Sequence, residues 1–206
     1  MPLFFFDELV LKSARLSVWN GTETTAELAD FIAADARAME TFSSIKLEKR
    51  KREWLITYTL LKHLSLENVL AYLPSGKPTL TNGRGISISH CNALAAIVYS
   101  PSNVGMDVQC FDEKLGRIRE KFCNAGELEF LDGLNDPSEA LTIIWSAKEA
   151  VFKFYGEQVD FANDIRIAPF HPYDNEISAH YSGTHGDKDF ALQHFMIEKY
   201  HVVIAS

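Results

Sequence analysis

Asp189-Phe190-Ala191-Leu192-Gln193-His194-Phe195-Met196-Ile197 and, two residues on, Tyr200-His201-Val202-Val203-Ile204-Ala205 end the chain as two runs rich in aromatic and branched residues. Such runs read as strands, and a third, Glu176 to Tyr181, precedes them. Strands that follow one another so closely pair antiparallel, whereas a doubly wound sheet needs a helix between parallel neighbours. The C-terminal part therefore points to an α+β fold. Working outward, the same patterns predict strands at Ser13 to Val18, Gly85 to Ser89, Ala95 to Tyr99, Val104 to Cys110 and Ile165 to Ala168. Helices are expected over Thr24 to Ala36, Lys51 to Leu66, Leu115 to Phe122, Ala125 to Leu131 and Ser138 to Tyr155. There is no internal repeat, low-complexity segment or long linker.

The helix ending in Trp145-Ser146-Ala147-Lys148-Glu149-Ala150-Val151-Phe152-Lys153 carries an unusual charge pattern. At about 100° per residue, Ile144, Ala147, Val151, Phe154 and Tyr155 share one apolar sector, and Lys148 projects into it. A buried ammonium costs several kcal/mol unless it is paired or reaches water, so a lysine there calls for a partner or a ligand. Glu149 and Lys153 sit one turn apart on the flank. Two readings fit them: a solvated i,i+4 pair, or chemical groups of a site.

In Val104-Gly105-Met106-Asp107-Val108-Gln109-Cys110, alternation sends Val104, Met106, Val108 and Cys110 to one face and Gly105, Asp107 and Gln109 to the other. Asp107 and Gln109, roughly 7 Å apart along a strand, can share one hydrated cation, with Gly105 leaving room for a ligand. Mg²⁺ suits such a site, since it takes one or two carboxylates, waters and phosphate oxygens. The same pattern also describes an ordinary half-exposed strand. Gly76-Lys77-Pro78 reads as a turn with a lysine able to reach a phosphate. Ile86-Ser87-Ile88-Ser89-His90 reads as a strand ending in hydroxyl and imidazole donors.

Taken in order, Gly76-Lys77-Pro78, Ser87 to His90, Val104 to Gln109 and Trp145 to Lys153 resemble the motifs of the 4′-phosphopantetheinyl transferases, in their Sfp-like single-chain branch. The segment Phe122 to Glu127 is similar to the family's Phe-and-Glu stretch. The resemblance implies Mg²⁺-dependent transfer of the 4′-phosphopantetheine arm of coenzyme A to a serine of an apo acyl or peptidyl carrier protein, releasing 3′,5′-ADP. This is holo-[acyl-carrier-protein] synthase-type activity. It also implies two pseudo-symmetric α+β lobes, 1–102 and 103–206, with the active site between them. Carried over, Asp107, Gln109 and Glu149 face the metal, Lys148 and Lys153 contact coenzyme A phosphates, and Lys77, Pro78, Ser89 and His90 hold the nucleotide and its 3′-phosphate. Glu149 and Lys153 are the catalytic pair, with Glu127 the fallback base. Among the basic residues 46–52, Arg52 is the expected coenzyme A contact. Many relatives carry an acid where this chain has Gln109, which removes one negative charge from the cation site. That departure motivates an alternative: a degenerate relative that binds coenzyme A or a carrier without transfer.

The chain has 206 residues and a formal net charge of -8. Such a charge argues against nucleic-acid binding, which needs a basic surface. Cys91, Cys110 and Cys123 form no Cys-x-x-Cys pair, and reduced thiols are the simplest reading. The stretch Met1 to Glu8 lacks a basic flank and is too short for a signal or membrane segment, so a cytoplasmic location is expected. A monomer is expected as well. His180 and His185 lack a third partner at metal-ligand spacing.

Overall fold

The computed structural model describes residues 8–11 and 14–206. Most of the N-terminal stretch read above, and Ser13 at the head of the first expected strand, lie outside them. Strands β1 (Glu8–Leu11), β2 (Ala14–Asn20), β5 (Gly85–Cys91) and β6 (Leu94–Ser100) form an antiparallel sheet in the order β1-β2-β6-β5. A second antiparallel sheet takes β7 (Gly105–Gln109), β8 (Ile165–Ile167), β9 (Glu176–Gly183), β10 (Gly186–Ile197) and β11 (Tyr200–Ala205) in the order β7-β11-β10-β9-β8. The fold is α+β, as the C-terminal strands predict. A small hairpin, β3 (Leu70–Tyr72) with β4 (Pro78–Leu80), escapes the sequence reading because three-residue strands have no periodicity to detect.

Alternation along the strands sorts the core into layers. One face of the first sheet, with Trp19, Ile86, Ala95 and Ile97, packs under helices α1 (Thr25–Ile32), α2 (Ala36–Ser44) and α3 (Glu48–His63). The opposite face, with Leu16, Val18, Ala96 and Val98, meets Val104, Met106, Val108, Val202 and Ile204 of the second sheet. The far face of the second sheet packs on α6 (Ser138–Tyr155) through Ile144, Ala147, Val151, Leu192 and Val203. The helix expected over 24–36 ends earlier, at Ile32, and α2, which the sequence reading did not anticipate, begins at Ala36. Asp35 ends the run because its carboxylate caps the next helix, accepting from Ala38 N at 3.0 Å and from the Tyr58 hydroxyl at 2.6 Å.

The two sheets also meet edge to edge at β5 and β7. β11 pairs one edge of β7, and β5 side chains satisfy the other: Met106 N donates to Ser87 Oγ (2.9 Å), Val108 N to Ser89 Oγ (3.1 Å) and Cys110 N to Cys91 Sγ (3.4 Å). The spacing of two along each strand makes this seam possible, since Ser87, Ser89 and Cys91 all project from the same side of β5.

Candidate active site

Asp107 lies on the α6 face of β7, as alternation predicts, and is 5% exposed. Its Oδ1 accepts from Lys153 Nζ at 2.7 Å and from Ser89 Oγ at 2.9 Å. Lys153 Nζ also donates to Ser89 Oγ at 3.0 Å, so a lysine from α6, a carboxylate from β7 and a hydroxyl from β5 close one triangle across the seam. The other oxygen, Asp107 Oδ2, is buried and has no hydrogen-bond partner. Glu149, one turn before Lys153, has its carboxyl pushed up to about 7, chiefly by burial and then by the charge of Asp107, with Lys153 opposing. A buried acid oxygen without a donor, beside a second acid that resists ionising, marks a place short of positive charge.

Gly105 behaves differently from the expectation of room for a ligand. A Cβ there would overlap the carbonyl oxygen of Ala150 and the amide nitrogen of Phe154, so the glycine lets α6 press onto β7. Close packing of that helix brings Glu149 and Lys153 over Asp107.

Lys148 is fully buried and fully partnered. Its ammonium donates to Glu127 Oε2 at 2.8 Å, to the Phe161 carbonyl at 2.7 Å and to the Ile165 carbonyl at 2.8 Å. All three of its donors are thereby taken, and the expected contact to a coenzyme A phosphate has none left to rest on. Burial pulls the Lys148 pKa down, and the Glu127 charge counteracts this. Glu127 is committed as well. It accepts from Asn124 N at 2.8 Å in a capping box at the start of α5 (Ala125–Asp132), and from Ile167 N at 2.8 Å. A carboxylate with this many donors is a poor general base.

Lys77 reaches across to the C-terminal end of α6, donating to the Phe154 carbonyl and, at 2.8 Å, to Asn103 Oδ1. Asn103 Nδ2 donates to the same carbonyl at 2.6 Å. Two donors thus cap the last turn, where the helix dipole favours a cation. One Lys77 donor remains, and the residue lines a cavity of about 230 Å³ with Pro78, Ile88 and Lys153. Pro78 and Ile88 also border an adjoining groove of about 470 Å³ whose walls include Arg50, Glu53, Trp54 and His90. Glu53 joins that groove's polar groups, accepting from Arg50 at 3.0 Å and lying 3.9 Å from His90 Nε2. Burial holds His90 below the usual histidine range, and Glu53 opposes that shift. Beyond His90 the groove continues to Gln109 and Phe111.

Arg52, the expected basic contact, points elsewhere. Its Nη2 donates to the Gly21 carbonyl at 2.5 Å, whereas Arg50 lines the groove. The register of a charged run cannot be fixed from sequence, because nothing in it distinguishes one helix face from another. Arg50, Glu53 and Asn103 are the residues that sequence reasoning missed. Asn103, just before β7, gives no signal beyond being a loop residue.

The family model of the 4′-phosphopantetheinyl transferase superfamily matches residues 103–205. The chain belongs to this superfamily. No individual curated protein matches it. The matched half of the transferase carries Asp107, Glu149 and Lys153, while Lys77, Ser89 and His90 come from the strands and turns before it. The family uses coenzyme A and typically a divalent metal. The residues present fit such a cation: Asp107 Oδ2 lacks a donor, Glu149 is held toward its neutral form, and partly buried Gln109 adds a neutral oxygen on the same strand face. Among the described residues no three His, Cys, Asp or Glu side chains gather as a metal cluster. No described helix is long and apolar enough to cross a membrane.

Proposed function

We propose that this transferase moves the 4′-phosphopantetheine arm of coenzyme A to a serine of an apo acyl or peptidyl carrier protein, with Mg²⁺, as a member of the Sfp-like single-chain branch. In this reading 1–102 and 103–206 are its two lobes. Asp107 Oδ2, Glu149 and Gln109 hold the cation, which when bound neutralises charge on the pyrophosphate oxygens. Lys153, poised on Asp107 and Ser89, adds a positive charge where the phosphoryl group changes hands. The free donor of Lys77 and the Arg50-Glu53-His90 group hold the nucleotide end. Ser89 acts by fixing Lys153 and the edge of β7. Glu149, which has no hydrogen-bond partner among the described residues, has two open oxygens, one for the cation and one to take the serine proton.

Lys148 and Glu127 serve this site indirectly, by locking α6 to α5 and β8. The observation that carries the proposal is the unpartnered buried oxygen of Asp107 under Glu149 and Lys153. Incubation with coenzyme A, Mg²⁺ and a panel of apo carriers, read by intact mass, tests it. A carrier gaining one phosphopantetheine arm supports the reading, and no gain on any carrier defeats it. Gln109 supports a second reading, a relative that binds coenzyme A without transfer. Tight coenzyme A binding with unchanged carrier masses would favour that one.

A further inference from the structure

The seam between the sheets ends in two sulfurs. Cys91 closes β5, Cys110 follows directly on β7, and their Sγ atoms stand 3.1 Å apart. A disulfide needs about 2.05 Å, so closure asks for a movement of roughly one ångström. The Cys110 amide donates to Cys91 Sγ at 3.4 Å, and Asn92 Nδ2 donates to Cys110 Sγ at 3.1 Å, which holds both sulfurs on the seam. Both cysteines are partly exposed and line the groove between His90 and Gln109. Cys123 is the contrast: it is buried, has no sulfur partner among the described residues, and burial pushes its thiol up to about 12.

We propose that Cys91 and Cys110 are a redox-active dithiol, oxidised by small-molecule disulfides to an intramolecular bond that cross-links the two sheets. The step balances by two exchanges. The Cys110 sulfur attacks oxidised glutathione, forming a Cys110–glutathione disulfide and releasing one glutathione, which takes up the proton. Cys91 then attacks the Cys110 sulfur, forming the Cys91–Cys110 bond and releasing the second glutathione with the second proton. Two protein thiols are oxidised and one small disulfide is reduced to two thiols. Cys91 is the resolving partner, since its position 3.1 Å from Cys110 makes the second exchange intramolecular. The product ties β5 to β7 at the residues flanking His90 and Gln109, with β6 inside the closed loop.

The test treats the full-length reduced protein with oxidised glutathione, then denatures it, alkylates it and reads the intact mass. The expected result is one alkylated thiol after oxidation against three before it. Digestion should show a Cys91–Cys110 cross-linked peptide, and the thermal midpoint should rise by several degrees until dithiothreitol reverses it. Cys91→Ser should stall as a glutathione adduct on Cys110. Three alkylated thiols after oxidation, a cross-link that includes Cys123, or a Cys91→Ser protein without adduct would overturn the proposal. None of these readouts needs transfer activity, so the outcome is separable from that of the proposed function.

Discussion

The two lysines of α6 lie five residues apart and do opposite things. Lys148 is enclosed, with Glu127 and two carbonyls using all of its donors, and it holds α6 to its neighbours. Lys153 sits at the groove, a quarter exposed, on a carboxylate whose second oxygen is unpartnered. Closed satisfaction marks structure, and incomplete satisfaction leaves a group able to take a further partner. One turn of helix is enough to separate them, because successive sectors of α6 face the second sheet's core and its seam with the first.

The largest effect should come from removing the incomplete partner. Asp107→Asn is expected to abolish Mg²⁺-supported transfer while the protein still folds, as measured by carrier mass and circular dichroism. Next, the same replacement at both lysines separates the two roles. Lys148→Met should cost about 3 to 5 kcal/mol of stability in denaturant titration, since it strands a buried Glu127. Lys153→Met should cost about 1 kcal/mol or less with Mg²⁺ present, yet slow transfer on the order of a hundredfold. An early-melting Lys153→Met that transfers normally would erase the distinction.

A third effect is a pH dependence of stability in chelator. Glu149 binds its proton more tightly folded, at about 7, than unfolded, at its ordinary 4.5. Between those values the folded state holds more protons, so stability falls as pH rises from about 5 to above 7, by at most ~3 kcal/mol. Glu149→Gln should flatten that slope, and Mg²⁺ should offset the loss at high pH. Smallest of all, Gln109→Glu should lower the Mg²⁺ needed for half-maximal rate severalfold, and an unchanged requirement would take residue 109 out of the cation site.

Strand alternation was the most legible signal. A period of two placed Asp107 and Gln109 opposite Val104, Met106 and Val108 without any knowledge of what lay across from them, and the structure keeps that sorting. Helix α6 was legible from its apolar sector, and the structure ends it at Gly156 in the left-handed conformation at φ 94°. The demand of Lys148 for a partner was also readable, but the partner's identity was not. Glu127 is 21 residues away, and only the fold brings the two together. The Asn124-to-Glu127 spacing is a capping-box pattern, and read as such it would have removed Glu127 from the list of bases. Gly105 was misread because a glycine in a strand signals close approach without saying by what. Asp35 was missed as a break because one acid inside a helical pattern resembles a surface residue until its capping contact is seen.

The side-chain seam along β7 also bears on solubility. An edge strand with open amides is a template on which another chain can add, and proteins usually blunt such edges with charge, bulges or a covering element. Here two hydroxyls and a thiol from β5 occupy the amides of Met106, Val108 and Cys110, so the strand that carries Asp107 offers little to a passing β-strand. Replacing Ser87 and Ser89 with alanine would uncover two of those donors. The cost would appear less in melting temperature than in a new tendency of the folded protein to self-associate through β7.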